Sequence, residues 1–214
     1  MMAHAWYSTY DSLISKVCPD YELGLDAIVK GILGDVNRIL ELGCGTGNLT
    51  SLLAKTFPQA QIVGIDKEEL MLDIARTKLR RYKNVELINR KIPQVDAKGF
   101  DAVVSSLVFH LLPEEDRLQM LQTVYKSGAK YFVIFDRMKG ESEEQENTFL
   151  HYFAQQLQGK ELPDDAQHQL VQESKKNNPM KLSEHRAICE ENELKFEILH
   201  QNPNHGFMVY RGIR

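Results

Sequence analysis

The sequence has few cysteines and no long apolar run. Its three cysteines, Cys18, Cys44 and Cys189, lie far apart and form no CxxC pair. This pattern argues against a disulfide framework or a zinc site and favours a reducing compartment. No stretch approaches the roughly 18 apolar residues of a membrane span, and residues 1–11 lack the basic flank and apolar segment of a secretory signal. We therefore predict a cytoplasmic protein without membrane association.

An excess of positive charge is also missing, because the 214 residues carry a formal net charge of −4. Residues 76–91 contain seven basic residues against one glutamate, whereas residues 141–174 contain eight acidic residues against one lysine. We interpret the basic residues at 76–83 as a solvated helix end that points away from the functional site. The acidic segment would repel a phosphate backbone, so the charge pattern disfavours nucleic acid as a partner.

Short apolar runs alternate with amphipathic stretches between residues 37 and 136. The runs are rich in β-branched residues and apolar on both faces, as expected of strands buried on both sides. This alternation predicts an α/β fold with a doubly wound, Rossmann-like sheet. Two further runs, 195–201 and 206–212, flank a turn and predict a terminal antiparallel hairpin. The expected sheet therefore has seven strands, which are mostly parallel. The five earlier runs are 37–42, 61–66, 85–89, 100–106 and 131–136.

A chain of 214 residues is long enough for one domain with a sizeable core. We predict a single domain covering residues 1–214. Residues 1–34 would form an N-terminal helical lid, and residues 141–194 would form a helical cap inserted before the hairpin. The sequence leaves open whether the chain is a monomer or a homodimer.

A glycine-rich loop, ELGCGTG at residues 41–47, ends the first predicted strand and opens a helix. Ligands bind at the carboxyl ends of strands in such sheets, and glycines let a ligand approach the backbone. The spacing is neither the GxGxxG of dinucleotide sites nor the Walker phosphate loop. Glu41 is also a poor neighbour for phosphate and suits a cationic ligand, such as the sulfonium and ammonium of S-adenosylmethionine. Asp66, 23 residues after Gly43, is placed to accept hydrogen bonds from ribose hydroxyls.

At this point the sequence resembles the class I S-adenosylmethionine-dependent methyltransferases over roughly residues 36–214. The segment ELGCGTG resembles their glycine motif, GIDKEELMLDIA their ribose-binding strand and helix, and FDAVVSSLVFHLLP their fourth strand and active-site edge. The resemblance implies S-adenosylmethionine as the cofactor. The cofactor-binding residues that it implies are Glu41, Gly43, Gly45 and Gly47 around the methionyl part, Asp66 with Lys67 at the ribose, and Ser105 and Ser106 below the sulfonium.

The sequence departs from this family after the third predicted strand. The family commonly has an acid and a small residue there, whose acid holds the adenine amine, whereas this chain has Arg90, Lys91 and Ile92. Two alternatives stay open for the adenine contact. Either Asp96 reaches the ring, or backbone groups near Lys91 and Ile92 bind it.

Methyl transfer needs alignment above all, and it needs a general base only where the acceptor carries a proton. His110, at the mouth of the fourth strand, is our first candidate for that base, and a packing role is the alternative. Asp136 ends the fifth strand and would either orient an acceptor amine or cap the next segment. Tyr10 lies in a segment that resembles the N-terminal lid of small-molecule methyltransferases. We expect it to close on the methionyl end with Trp6 and Tyr7 nearby, unless these aromatics serve helix packing.

These observations predict in-line methyl transfer from S-adenosylmethionine to a small-molecule acceptor. The sequence has no HExxH or similar histidine pair, so we predict no metal. One alternative is an enzyme similar to carboxy-S-adenosylmethionine synthase, which acts in tRNA wobble modification and would need a cation for the added carboxylate. A second alternative is a catalytically silent cofactor-binding protein, which the unusual pair Arg90–Lys91 keeps open.

Overall fold

A computed structural model describes residues 2–18, 20–158, 160, 164–177, 179–202 and 206–214. In these ranges, seven strands alternate with helices in the order that the sequence predicts. The strands are β1 Arg38–Leu42, β2 Gln61–Asp66, β3 Val85–Asn89, β4 Ala102–Ser106, β5 Tyr131–Arg137, β6 Lys195–Gln201 and β7 Phe207–Ile213. The helices are α1 Met2–Val17, α2 Tyr21–Gly31, α3 Asn48–Thr56, α4 Glu69–Leu79, α5 Glu114–Tyr125, α6 Glu143–Leu157, α7 Asp164–Lys176 and α8 Leu182–Glu191.

The seven strands form one sheet in the order β3-β2-β1-β4-β5-β7-β6. Strands β1 to β5 are parallel to their neighbours, whereas β7 is antiparallel to both β5 and β6. The predicted doubly wound sheet with an antiparallel terminal hairpin is therefore confirmed. The strand order reverses between β1 and β4, so the carboxyl ends of these two strands open onto the crevice where such folds bind ligands.

Helices cover both faces of the sheet, which explains why the strands are apolar on both alternations. All seven residues of β5 are buried. Val133 and Phe135 pack into the apolar cluster that contains Ile28 of α2, whereas Phe132 and Ile134 pack into the cluster that contains Leu121 of α5. Helix α2 lies so close to the sheet that a Cβ atom at Gly24 would be 2.4 Å from the ring of Phe135. This helix is therefore a layer of the core.

The helices outside this sheet-and-helix alternation pack against other helices or against the terminal hairpin. Helix α1 contacts α4 and α6, and α6 contacts α7, whereas α8 packs against β6. The division of the chain into lid, sheet and cap stays a prediction. Within the part of the chain described, no helix is both long and apolar enough to cross a membrane.

Candidate active site

The glycine loop turns sharply, and each of its glycines has a positive φ, of 70° at Gly43, 53° at Gly45 and 82° at Gly47. A Cβ atom at Gly43 would lie 2.3 Å from Val108, and one at Gly47 would lie 2.8 Å from Leu79. These two glycines are therefore required by close packing. At Gly45 no heavy atom lies within 4 Å of the Cβ position. Gly45 is thus the glycine whose bare backbone borders open space.

Asp66 lies at the end of β2, beside this open space. Its Oδ2 accepts a hydrogen bond from the backbone N–H of Gly45 at 2.8 Å, and its Oδ1 accepts one from Glu68 at 2.9 Å. Each carboxylate oxygen can accept a further hydrogen bond, so Asp66 keeps the capacity to bind hydroxyl groups. The neighbouring side chain of Lys67 is 66% exposed and lies 3.8 Å from the carboxylate of Glu68.

Glu41 is buried under the loop, and its Oε2 accepts a hydrogen bond from the hydroxyl of Thr50 at 2.6 Å. Burial raises the pKa of Glu41 to about 8, although the hydrogen bond from Thr50 opposes the shift, and the charge of Asp66 adds to it. The protonated form is therefore favoured at neutral pH in this structure. Burial thus disfavours the negative charge that the sequence suggests for Glu41.

Ser105 and Ser106 end β4, and their hydroxyl groups differ. The hydroxyl of Ser105 is used within the sheet, where it donates to the carbonyl of Leu42 at 3.0 Å. The hydroxyl of Ser106 is buried and has no hydrogen-bond partner among the described residues. A buried polar atom of this kind commonly has a ligand or water as its partner.

The residues that replace the expected adenine-binding acid lie beyond β3. Lys91 is exposed, and Ile92 is buried at the start of a short 3-10 turn. Asp96 is exposed, and its Oδ1 accepts a hydrogen bond from the backbone of Lys98 at 3.0 Å. Both alternatives for the adenine contact stay predictions.

Helix α1 is attached to the glycine loop through Asp11. Its carboxylate accepts hydrogen bonds from Thr46 Oγ1 at 2.6 Å, Asn48 Nδ2 at 3.0 Å and Lys78 Nζ at 2.7 Å. Burial alone would raise the pKa of Asp11, but these hydrogen bonds and the charge of Lys78 hold it below its usual value. The interpretation of residues 76–83 as a solvated end pointing away from the site is thus wrong for Lys78. Periodicity does not reveal a pair that is separated by 67 residues.

Tyr10 precedes Asp11 and lines a cavity. Burial raises the pKa of Tyr10 to about 12, and the charges of Cys18, Asp11 and Asp66 contribute to the shift. The phenol is therefore protonated at neutral pH, and it lies close enough to Asp66 to sense its charge. The side chains of Trp6 and Tyr7 lie outside the described residues.

His110 and Asp136, which are separate candidates in the sequence, form a pair. The Nδ1 atom of His110 hydrogen-bonds to Oδ1 of Asp136, and the backbone N–H of His110 donates to Oδ2 at 3.1 Å. Asp136 is buried, whereas 12% of the His110 side chain is exposed towards the cavity that Tyr10 also lines. A carboxylate on Nδ1 favours the tautomer whose Nε2 can accept a proton.

The cavity encloses about 190 Å³ between α1, α6, α7 and the ends of β4 and β5. Its walls are mostly apolar and come from distant parts of the chain. The apolar residues include Leu13, Ile14, Val17, Leu107, Phe153 and Phe207. His110 and Arg137 also line it, and Arg137 is a site residue that the sequence does not predict. No cluster of three or more potential metal ligands occurs in the described ranges.

Three comparisons with known proteins agree with this arrangement. A sequence model of the methyltransferase domain family matches residues 39–128. The chain is 33% identical to an uncharacterized methyltransferase of Alkaliphilus oremlandii, over 68% of this chain and 70% of that protein. It is 29% identical to carboxy-S-adenosyl-L-methionine synthase of Nautilia profundicola, over 56% of this chain and 53% of that protein.

A solved structure of similar fold is that of the plantazolicin methyltransferase BpumL, in complex with a triazolic desmethylPZN analog and SAH. The TM-score is 0.71 at 17% sequence identity, covering 100% of this chain and 94% of that one. This likeness shows the fold alone. The chain spans about half the length of several curated relatives that it matches.

The fold defines a Rossmann-like protein with a crevice at the carboxyl ends of β1 and β4. Open space beside Gly45, the remaining acceptor capacity of Asp66 and the hydroxyl of Ser106, which has no partner among the described residues, leave polar groups available to a ligand. With the match over two thirds of a methyltransferase relative, this chain belongs to the class I S-adenosylmethionine-dependent methyltransferases.

Proposed function

We propose that this chain is an enzyme that transfers a methyl group from S-adenosylmethionine to a small-molecule acceptor. The observation that carries the proposal is the mostly apolar cavity of about 190 Å³, which is lined by His110 of the His110–Asp136 pair and by Tyr10. Tyr10 is next in sequence to Asp11, which accepts a hydrogen bond from Thr46 of the loop. Small-molecule sites are typically concave, mostly apolar and equipped with a few polar groups that orient the ligand. A cavity of this size between helices favours a small acceptor over a macromolecular surface.

The cofactor would be held by groups at the carboxyl ends of β1, β2 and β4. Bound there, it would supply a methyl group on a positively charged sulfur atom. Gly45 offers bare backbone, Asp66 offers carboxylate oxygens for the ribose hydroxyls, and Ser106 offers a buried hydroxyl. Asp11 fixes α1 over the loop, where Tyr10 can exclude water from the reacting groups.

The His110–Asp136 pair would accept a proton from the acceptor. Asp136 orients the imidazole through Nδ1, and it stabilises the positive charge that His110 gains when Nε2 takes up the proton. Apolar walls keep competing water away from this step. An acceptor that carries a proton at neutral pH, such as a hydroxyl group, is the type that uses such a pair.

The proposal is tested with S-adenosylmethionine that carries a labelled methyl group. The chain is incubated with this cofactor and fractions of a small-metabolite extract, and label in a new small molecule is the expected result. Asp66→Ala should abolish the transfer by weakening cofactor binding. Cofactor binding without label transfer to any fraction would instead favour a catalytically silent cofactor-binding protein.

A second candidate is an activity similar to that of carboxy-S-adenosyl-L-methionine synthase. It is favoured by Arg137, because a buried cation in the cavity is the group that a carboxylated cofactor would require. Mass spectrometry of the nucleoside retained on purification separates the two activities. The plain cofactor or its demethylated product supports methyl transfer, whereas a carboxylated cofactor supports the synthase.

A further inference from the structure

Arg137 is a fixed, buried cation in the wall of the cavity. It is the last residue of β5, and only 3% of its surface is exposed. The centre of its guanidinium lies 4.6 Å from the ring centroid of Phe149, and Nη2 donates to the carboxylate of Glu146. Glu146 is itself held by the backbone N–H of Gly140 at 2.8 Å. The ring and the carboxylate together leave the guanidinium little freedom to reorient.

The other donors of this guanidinium are unused. Its Nε and Nη1 atoms are buried and make no hydrogen bond to any described residue. Buried donors of a charged group are costly to leave without a partner, so each such donor calls for an explanation. These two donors are closed to solvent in this structure. Because Arg137 lines the cavity, a small shift of its guanidinium towards a ligand oxygen there would give them a partner.

We infer that Arg137 binds a carboxylate group of the methyl acceptor, so that the substrates of this site are monocarboxylates with an apolar body. This inference rests on the function proposed above. The carboxylate would be the anchor at Arg137, and the apolar body would contact residues such as Leu13, Phe153 and Phe207.

The acidic residues around the cavity limit how much negative charge it can accept. Glu146 already neutralises part of the charge of Arg137, and the exposed Glu173 also lines the cavity. A second anionic group on the ligand would meet these carboxylates without a matching cation. The site should therefore prefer a single carboxylate over a dicarboxylate or a phosphate monoester.

The test compares ligands that differ only in charge. The chain is first titrated with S-adenosylhomocysteine in a calorimeter. The loaded chain is then titrated with hexanoate and hexanamide, and with phenylacetate and phenylacetamide. We expect each carboxylate to bind at least about tenfold more tightly than its amide, a difference of about 1.4 kcal/mol. Adipate, which has the same six carbons and a second carboxylate, should bind more weakly than hexanoate.

Variants at two positions test whether Arg137 causes the preference for carboxylates over amides. Arg137→Gln should abolish the preference for carboxylates, and Arg137→Lys should keep part of it. Glu146→Gln should raise the affinity for carboxylates severalfold, because it removes the competing acid. This second variant keeps the inference testable if Arg137→Gln does not fold. A purely structural arginine would leave the carboxylate-to-amide ratio unchanged in every folded variant, and that result overturns the inference.

The outcomes distinguish this inference from the proposed function. A chain that fails to bind S-adenosylhomocysteine overturns the proposed function. A chain that binds it but does not discriminate carboxylates from amides overturns the inference alone. Recovery of a carboxylated cofactor from the purified protein would assign the carboxylate to the cofactor and overturn its assignment to the acceptor.

Discussion

The two halves of the site are built in different ways. Most of the proposed cofactor half comes from one continuous segment, from Glu41 to Asp66, which supplies backbone atoms and one carboxylate, and Ser106 of β4 adds a hydroxyl. The proposed acceptor half uses side chains from as far apart as Leu13 and Phe207. A ligand shared by a whole family can be bound by a local motif. A ligand specific to one chain requires side chains that only the complete fold brings together.

The largest effect is expected for His110→Ala, which acts on the acceptor half alone. Loss of the proton acceptor should lower kcat by about 10²-fold or more, while the dissociation constant of S-adenosylhomocysteine stays nearly unchanged. His151→Ala, at an exposed position on α6, is the control and should retain activity. Steady-state kinetics and calorimetry check both quantities. A parallel loss of cofactor affinity would mean that His110 has a structural role, and that the two halves are not separable.

Gly45→Ala acts on the cofactor half, and Gly34→Ala is its matched control. Both glycines have a positive φ and open space at the Cβ position, but only Gly45 lies in the loop. Each substitution should cost about 1 kcal/mol of stability because a side chain disfavours this backbone conformation. Only Gly45→Ala should weaken S-adenosylhomocysteine binding, by about tenfold or about 1.4 kcal/mol. Equal binding by the two variants would contradict the role of Gly45.

Glu41→Gln tests how burial changes the chemistry of the cofactor half. The pKa of Glu41 is raised from 4.5 to about 8 in the folded chain. Its protonated form therefore stabilises the fold fully below about pH 4.5, and this contribution is lost as the pH rises through about 8. The unfolding free energy of the parent chain should fall relative to Glu41→Gln by on the order of 1 kcal/mol per pH unit in this window. Urea denaturation between pH 5 and pH 9 measures the difference.

Glu115→Gln, at an exposed position on α5, is the control for that experiment. Its unfolding free energy should have the same pH dependence as that of the parent chain. If the unfolding free energy of Glu41→Gln had the same pH dependence as that of the parent chain, Glu41 would be ionised in the folded protein. The negative charge that the sequence analysis assumed would then be correct.

The smallest effect is expected for Lys78→Met, which weakens the attachment of α1 to the loop. Ion pairs that are partly exposed contribute about 0.2–1 kcal/mol, so cofactor affinity should fall by roughly two- to fivefold. Lys30→Met removes an exposed ion pair with Asp26 on α2 and should leave binding unchanged. Binding measured at rising salt concentration checks the cause, since added salt should reduce the difference between Lys78→Met and the parent chain.

The fold could be predicted from the sequence because strands and helices leave local periodic patterns. Gly45 and Asp66 were also predictable, since a motif of fixed spacing places them at adjacent strand ends. The pairing of His110 with Asp136 was not predictable, because it depends on β4 lying beside β5. Arg137 carries no local signal at all. Its importance follows from burial and from the unused donors, and both are properties of the packed chain.

The protonation state of Glu41 could not be predicted from the sequence for a similar reason. A glutamate before a glycine motif suggests a charge, but burial in the folded chain decides whether the proton leaves. The contact of Lys78 was not predictable from local sequence either, because its partner Asp11 is 67 residues away in the sequence.

The carboxylate of Asp136 accepts hydrogen bonds from the imidazole and the backbone N–H of His110, and also from the backbone N–H of Arg137 at 2.8 Å. His110 is thereby held at the end of β5, next to the residue whose guanidinium Glu146 and Phe149 hold in place, so both side chains that we propose to act on the acceptor have fixed positions. The cavity would then select acceptors by the distance between the atom to be methylated and the carboxylate that Arg137 binds. Adding one carbon between these two groups of a substrate would lower the rate of methyl transfer more than adding one carbon elsewhere in the molecule.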